Sequence, residues 1–224
     1  MIACFFASIA FAAIEWMAVA TGRRRLEYLA KPAVLLFLIV WFLGKLPPPP
    51  SSLGIWFAVG LGFSLAGDVL LLLPQDPFAG GLAAFLIAHL FYILAFNQAG
   101  PVWTPASLGL ALVVLLLAAL VLRGLRGGMQ ARGRSPLFPA VTAYALVLAA
   151  MVWSAACTVF RPDWPPLASG LGALGGMLFF VSDFALAWTK YVRPVPGRRL
   201  TVMVTYHLAQ FALAGGVILA ITRT

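Results

Sequence analysis

The sequence GLGFSLAGDVLLLL, residues 60–73, places a single carboxylate, Asp68, inside an apolar segment. A charge at the centre of a membrane helix costs roughly 2.5–3.5 kcal/mol on insertion scales. If this segment is helical, its small and polar residues fall at i, i+4, i+7 and i+8 and share one face, namely Gly60, Ser64, Gly67 and Asp68. The spacing predicts a helix that packs this face against a neighbouring helix and keeps the acid away from lipid.

A second segment repeats the pattern. Residues 172–183 read GALGGMLFFVSD, in which Gly172, Gly176 and Asp183 share a helical stripe. The rest of the chain is therefore interpreted as a scaffold that brings Asp68 and Asp183 together.

The composition is that of a polytopic membrane protein. Of 224 residues, 63% are hydrophobic and 9% are charged, which excludes an ordinary soluble domain. The net charge of +9 comes from basic residues in the predicted loops, where membrane topology and anionic lipid headgroups explain it. Membrane lipids are thus the expected partners, and nucleic acid is not. The sequence makes no prediction of oligomeric state.

Apolar segments long enough to span a bilayer, about 20 residues each, occur eight times. We therefore expect an all-α fold with one domain, residues 1–224, that forms a bundle of eight transmembrane helices. The predicted spans are about 2–20, 29–46, 53–73, 80–98, 104–122, 137–159, 167–189 and 200–222, separated by Pro-rich and Gly-rich breaks such as residues 74–77.

Basic residues are distributed unevenly between the two ends of such a bundle. One end holds Arg23, Arg24, Arg25, Lys31, Arg123, Arg126, Arg132, Arg134, Lys190, Arg193, Arg198 and Arg199, and the other holds Lys45, Arg161 and Arg223. Because positive loops stay in the cytoplasm, this bias predicts an integral protein of a bacterial inner membrane with both termini outside.

The ionisable residues within the spans agree in depth. All fall in the half of the bundle that is predicted to be cytoplasmic: Glu15, Lys31, Asp68, His89, Asp183 and His207. Scattered structural polar groups have no reason to agree in depth, so this half is the predicted location of a site.

A faint internal duplication is also visible. Pro32-Ala33-Val34 resembles Pro139-Ala140-Val141, the two aspartates correspond, and His89-Leu90 resembles His207-Leu208. These pairs suggest the hypothesis of a parallel four-plus-four repeat about an axis along the membrane normal.

Two carboxylates that face one cavity are not both easily ionised, because desolvation and mutual repulsion oppose it. One protonated acid beside one ionised base suits acid–base hydrolysis through a cationic intermediate. The alternative is that each aspartate only forms hydrogen bonds between helices. His89 and His207 could join the aspartates as zinc ligands, but neither histidine has a further ligand at i+4, and we expect no metal or cofactor.

Supporting roles are expected for several other residues. Tyr92 and Tyr206 can donate hydrogen bonds to a substrate oxygen or simply pack, and Gln210 shares the face of Tyr206 and His207 and suits an interhelical bond. Glu15 is expected to pair with Lys31 or an arginine. Lys31 itself either contacts a lipid phosphate or only sets topology.

With these residues identified, the chain resembles the lysoplasmalogenase (YhhN-like) family of integral membrane proteins. The matching pieces are Lys31-Pro32, Gly67-Asp68, Ala88-His89 with Tyr92, Ser182-Asp183, and the segment 205–210, which reads TYHLAQ. One departure is His207, where the family pattern often has a second tyrosine.

The resemblance implies a hydrolase that cleaves the vinyl ether bond of lysoplasmalogens, a lysophospholipid substrate, to a fatty aldehyde and a glycerophospho-base. It implies that Asp68 and Asp183 are the catalytic acid and base in either order, and that Lys31 contacts the phosphate. Ser64, Ser182, His89, Tyr92, Tyr206, His207, Gln210 and Glu15 are the supporting residues. The alternatives are a small proton-coupled transporter and a lipid-binding protein without turnover.

Overall fold

The computed structural model describes residues 1–73, 78–194 and 196–222, and that part of the chain is folded into helices and short connections. The long helices are α1 (Ile2–Thr21), α2 (Arg24–Leu43), α3 (Ser52–Leu72), α4 (Phe78–Phe96), α5 (Pro105–Ala131), α6 (Phe138–Ala156), α7 (Pro166–Tyr191) and α8 (Arg198–Thr222). Short 3₁₀ turns, Ser135–Leu137 and Cys157–Phe160, extend α6 at both ends. Within the described residues, eight helical segments are long and apolar enough to cross a membrane, so the predicted all-α class and helix number are confirmed.

Local sequence sets several helix boundaries. The Ser51 side chain accepts a hydrogen bond from the backbone nitrogen of Gly54 at 3.2 Å and caps α3. Thr104 and Ser107 form a reciprocal capping box at the start of α5. Gly22 adopts a left-handed conformation, with φ at 69°, and ends α1, which is the usual place for a glycine.

The end of α5 was predicted wrongly. The sequence placed it at about residue 122, because arginines and glycines follow, but the helix continues to Ala131. Leu125 and Met129 lie four residues apart on one helical face and are buried with Val141 and Tyr191. This small apolar cluster extends α5 beyond the predicted membrane span.

Close helix contacts follow the glycine stripes expected from the sequence. A Cβ atom on Gly60 would lie 2.5 Å from the Tyr92 ring, and one on Gly67 would lie 2.7 Å from the Phe85 ring. This face of α3 therefore packs directly against α4. On α7, Gly172 lies beside the backbone of Ala155 in α6.

The helices differ greatly in how much of their surface is enclosed. In the most apolar window of α8, 67% of residues are buried, against 17% in α5. Helix α5 instead exposes Leu112, Leu115, Leu116 and Leu120, as expected for a helix that faces lipid. Helix α8 is thus central, and α5 is a peripheral wall of the bundle.

One end of the bundle collects the basic residues. The starts of α2, α4 and α8 and the ends of α3 and α7 border a common cavity there. The start of α3, the end of α4 and the turn before α7 meet at the opposite end. Arg223 and the predicted break at 74–77 lie outside the described residues. The cytoplasmic location of the basic end remains a prediction.

Candidate active site

Asp68 lies at the centre of a buried polar cluster and is 1% exposed. Lys31 of α2 places its Nζ atom 3.3 Å from Oδ1. Tyr206 of α8 donates a hydrogen bond to Oδ2 at 2.8 Å. A buried carboxylate needs a counter-charge and hydrogen bonds in place of water. The lysine and the tyrosine supply both.

A chain of hydrogen bonds leads to the same carboxylate. Tyr92 donates to Gln210 Oε1 at 3.0 Å, and Gln210 Nε2 donates to the Tyr206 hydroxyl at 3.4 Å. Because Tyr92 gives its one hydroxyl proton to Gln210, Ser64 is the donor in the 3.1 Å contact between their oxygens. All donors thus point towards Asp68, which stabilises its negative charge. Gln210 bridges α4 and α8, as expected from the sequence.

Glu15 and His207 form a further buried contact in the bundle. Trp16 donates through Nε1 to His207 Nδ1 at 3.0 Å, and Glu15 Oε2 lies 3.2 Å from the same nitrogen. Since an indole N–H only donates, Nδ1 is an acceptor, and the contact with Glu15 is attractive when Glu15 carries a proton. Glu15 was expected to pair with Lys31 or an arginine, but in the described contacts Lys31 pairs with Asp68 and Arg199 pairs with Glu27.

Asp183 has a different environment. Tyr144 of α6 donates to its Oδ2 at 2.6 Å, and His89 Nε2 lies 4.0 Å from the same oxygen, too far for a hydrogen bond. Within the described residues Asp183 has no lysine or arginine partner, and its side chain is 12% exposed. Neither ring nitrogen of His89 has a hydrogen-bond partner among these residues.

Aromatic rings connect the surroundings of the two carboxyl groups. The Phe179 ring packs edge-on against His89, with centroids 4.8 Å apart, and against Tyr206, with centroids 5.5 Å apart. Phe85 contacts the Tyr206 ring at 5.6 Å. Phe179 therefore contacts one neighbour of each aspartate, Tyr206 beside Asp68 and His89 beside Asp183. The expectation that both carboxyl groups face one cavity stays a prediction.

Two spaces at the basic end of the bundle adjoin the carboxyl groups. The charged cavity has a volume of about 400 Å³ and is bordered by Glu27, Lys31, Phe78, Leu186, Lys190 and Arg199. The apolar cleft lies between α4, α5, α6 and α7 and is lined by Phe78, Leu82, Tyr144, Leu148, Asp183 and Leu186. Phe78 and Leu186 border both and form the wall between them. Asp183 borders the cleft directly, and Asp68 adjoins the charged cavity through Lys31.

The apolar cleft is narrow and has a wider mouth. Its own volume is about 50 Å³. Towards the basic end it adjoins a cavity of about 440 Å³, which shares Phe78, Leu82 and Tyr144 with it and reaches Arg134. Of the four helices that line the cleft, α5 has the smallest buried share.

Most of the remaining predicted residues lie near one of the two aspartates. Lys31, Ser64, Tyr92, Tyr206 and Gln210 belong to the Asp68 cluster, and His89 lies beside Asp183. Ser182 belongs to neither, because its hydroxyl donates to the backbone oxygen of Val202 at 3.1 Å and ties α7 to α8.

Sequence reasoning missed Tyr144, Trp16 and the pair Glu27–Arg199. A tyrosine or tryptophan in an apolar helix usually signals packing or an interface, so neither stood out. Tyr144 does lie about 9 Å into its helix at 1.5 Å per residue, a depth similar to that of the ionisable residues. Glu27 could have been noticed in the sequence, because it is an acid among the basic residues that collect at one end of the bundle.

Together, the fold and this site define a polytopic α-helical membrane protein with paired ionisable groups enclosed at one end of its bundle. The YhhN family model matches residues 26–217, and the chain belongs to the YhhN family.

Three named proteins are similar to this chain over most of its length. Lysoplasmalogenase TMEM86B of Sus scrofa is 38% identical over 151 residues, which cover 67% of this chain and 58% of that protein. Lysoplasmalogenase TMEM86A of Homo sapiens is 34% identical over 184 residues, 80% of this chain and 71% of that protein. Membrane protein YhhN of Escherichia coli O6:H1 is 29% identical over 188 residues, 84% of this chain and 85% of that protein. No solved structure is significantly similar to the chain.

Proposed function

We propose that this protein is a membrane-embedded hydrolase that cleaves the vinyl ether bond of lysoplasmalogens. One observation carries the proposal: a charged cavity and an apolar cleft share the Phe78–Leu186 wall, and each adjoins one of the two aspartates. A lysoplasmalogen has a charged headgroup at one end, an alkenyl chain at the other and the vinyl ether between them. The names of the mammalian relatives support the same substrate class.

The substrate then lies across the wall between the two spaces. Its phosphate occupies the charged cavity near Lys31, and its chain enters the apolar cleft beside Asp183. Displacement of Phe78 and Leu186 by the substrate joins the two spaces and brings the vinyl ether near both carboxyl groups. Burial of the chain among apolar side chains contributes about 0.8 kcal/mol per CH₂ group.

Asp183 is the proposed general acid. A carboxyl group beside an apolar cleft, with no lysine or arginine partner, holds its proton more readily than one in an ion pair. It protonates the alkene carbon that lies one bond away from the ether-linked carbon. The product of this step is an oxocarbenium ion, in which the ether oxygen shares the positive charge.

Asp68 is the proposed carboxylate that stabilises this cation and accepts a proton from water. Water adds to the ether-linked carbon and forms a hemiacetal, which collapses to a fatty aldehyde and the free glycerol hydroxyl of the glycerophospho-base. Tyr206 and Tyr144 hold the two carboxyl groups in position. His89 lies close to Asp183 and is a positioning residue.

The experiment is turnover of lysoplasmenylethanolamine by the purified protein in D₂O, with Asp68→Asn and Asp183→Asn as variants. Aldehyde with deuterium on the carbon next to the carbonyl is expected, because solvent supplies the proton. Loss of general acid or base function lowers the rate about 10²- to 10⁴-fold, so each variant is expected to lose turnover. Because Asp68→Asn also leaves Lys31 without its partner, the folding of each variant is checked by circular dichroism.

Asp163→Asn is the matched control, because Asp163 is exposed at the opposite end of the bundle. Full activity in Asp68→Asn or Asp183→Asn would contradict the assignment. Release of fatty acid from an ester lysophospholipid, without aldehyde from the vinyl ether, would contradict the reaction.

A further inference from the structure

The charged cavity carries charges of both signs. Its described lining residues include three bases, Lys31, Lys190 and Arg199, and one acid, Glu27. Its volume of about 400 Å³ lies within the roughly 300–1,000 Å³ range of small-molecule pockets. An acid in the lining weakens the binding of an anion. Its presence therefore favours a ligand that carries a positive charge as well as a negative one.

Glu27 and Arg199 form an ion pair across this cavity. Arg199 Nη2 lies 2.5 Å from Glu27 Oε1 and connects the first turns of α8 and α2. The Glu27 side chain is only 7% exposed, whereas that of Arg199 is 55% exposed. A buried acid thus lies beneath a cation that solvent can reach and that can turn towards a ligand.

Lys31 links the cavity to the Asp68 cluster. It lines the cavity and contacts Asp68 at 3.3 Å. These charges therefore form one neighbourhood that extends from the mouth of the cavity to the proposed reaction centre.

We propose that the charged cavity is a headgroup site for a zwitterionic phosphodiester, in which Arg199 and Lys31 bind the phosphate and Glu27 binds the amine. This inference rests on the proposed function for the identity of the lipid. The ligand exchanges one ion pair, Glu27 with Arg199, for two, phosphate with Arg199 and ammonium with Glu27. Lys31 keeps its contact with Asp68 and adds a second contact to the phosphate. No buried charge therefore loses its partner, which avoids the main cost of binding a charged group in an enclosed site.

The site would select ethanolamine and choline headgroups over a phosphate monoester. A lipid without the amine offers Glu27 no partner and draws Arg199 away from it, which leaves a buried acid unpaired. A lipid without the phosphate leaves the original ion pair intact and gains no contact in the cavity. Glu27 is thus the specificity-determining residue and Arg199 the main affinity residue.

Three substrates separate the roles of Glu27 and Arg199 in steady-state assays. They are lysoplasmenylethanolamine, the phosphate monoester that lacks its ethanolamine group (1-alkenylglycerol 3-phosphate), and 1-alkenylglycerol, which also lacks the phosphate. A hydrogen bond to a charged group is worth about 10- to 100-fold in affinity. Arg199→Gln is expected to raise KM by that factor for both phosphate-bearing substrates and to leave 1-alkenylglycerol unchanged.

Glu27→Gln is expected to raise KM about 10-fold or more for lysoplasmenylethanolamine and to lower it for the amine-free phosphate, with little change in kcat. Arg132→Gln is the matched control, because Arg132 is exposed and does not line the cavity. If Glu27 only ties α2 to α8, Glu27→Gln raises KM for all three substrates alike. That result would overturn the proposal.

A binding assay distinguishes failure of this proposal from failure of the proposed function. Glycerophosphoethanolamine and inorganic phosphate are titrated separately into the purified protein by calorimetry. Tighter binding of glycerophosphoethanolamine, lost in Glu27→Gln, supports the headgroup site even if no vinyl ether is cleaved. Equal binding of the two ligands, or binding that Glu27→Gln does not change, overturns it even if the enzyme is active.

Discussion

Asp68 and Asp183 occupy matched positions near the basic end of α3 and α7, yet their surroundings differ. Each accepts a hydrogen bond from a tyrosine, at 2.8 Å and 2.6 Å, so the tyrosine bonds do not separate them. What differs is the lysine, which contacts Asp68, and the access of Asp183 to an apolar cleft. A fixed cation favours a permanent carboxylate, and an apolar edge favours a proton. This difference is the reason for the proposal that Asp68 acts as the base and Asp183 as the acid.

The contacts also bear on the hypothesis of two repeats. Asp68 contacts α2 of its own half and α8 of the other half, and Asp183 contacts α6 of its own half and α4 of the other. This exchange of partners is what a twofold axis along the bundle would produce. The repeat remains a prediction. Within the described residues, Asp183 has no counterpart of the lysine that contacts Asp68.

Among the variants that test the difference between Asp68 and Asp183, Lys31→Met is expected to lose the most stability. Breaking a buried ion pair costs about 3–5 kcal/mol, because the remaining charge is left unpaired. Unfolding in detergent is expected to show that loss. Asp183→Asn, which removes no ion pair, is expected to cost about 1 kcal/mol or less.

Lys45→Met is the control for Lys31→Met, since Lys45 is exposed at the other end of the bundle. The double variant Lys31→Met/Asp68→Asn should recover most of the stability. If Lys31→Met and Asp183→Asn cost the same, the two carboxyl groups do not differ in charge.

A smaller effect separates the two tyrosines. Tyr206→Phe removes a donor from an ionised carboxylate, which costs about 1.5–3 kcal/mol, whereas Tyr144→Phe removes one from a neutral acid and costs about 0.5–1.5 kcal/mol. The free energies of unfolding of both variants, measured side by side, test this order. A larger loss in Tyr144→Phe would reverse the assignment of acid and base.

An effect of similar size concerns the aromatic layer formed by Phe85 and Phe179. In Gly67→Ala the new methyl group would lie 2.7 Å from the Phe85 ring, and overpacking of this kind costs about 1–3 kcal/mol. Gly62→Ala is the control, because no atom lies within 4 Å of its new methyl group. Equal thermal stability of the two variants would indicate that Phe85 is free to move and that the layer is not a fixed wall.

Much of the fold could be predicted from the sequence because span length and helical period are local properties. Asp68 and Asp183 were found for a similar reason, since a charge within an apolar segment is conspicuous in any chain. The end of α5 was missed because Leu125 and Met129 extend it only through contacts with Val141 and Tyr191.

The arrangement of the site depends on contacts between distant segments. Nothing in the local sequence indicates that Lys31 pairs with Asp68 and not with Glu15, or that the Phe179 ring lies between His89 and Tyr206. Tyr144 was overlooked because a tyrosine in an apolar helix is equally compatible with packing. These choices are made by helix packing, which periodicity does not encode.

Infrared spectra of the carboxyl groups measure the proposed difference between the two aspartates most directly. We expect the C=O band of a protonated carboxylic acid at neutral pH to lose one component in Asp183→Asn and none in Asp68→Asn. Loss of a component in Asp68→Asn, with no change in Asp183→Asn, would contradict the division of roles between them.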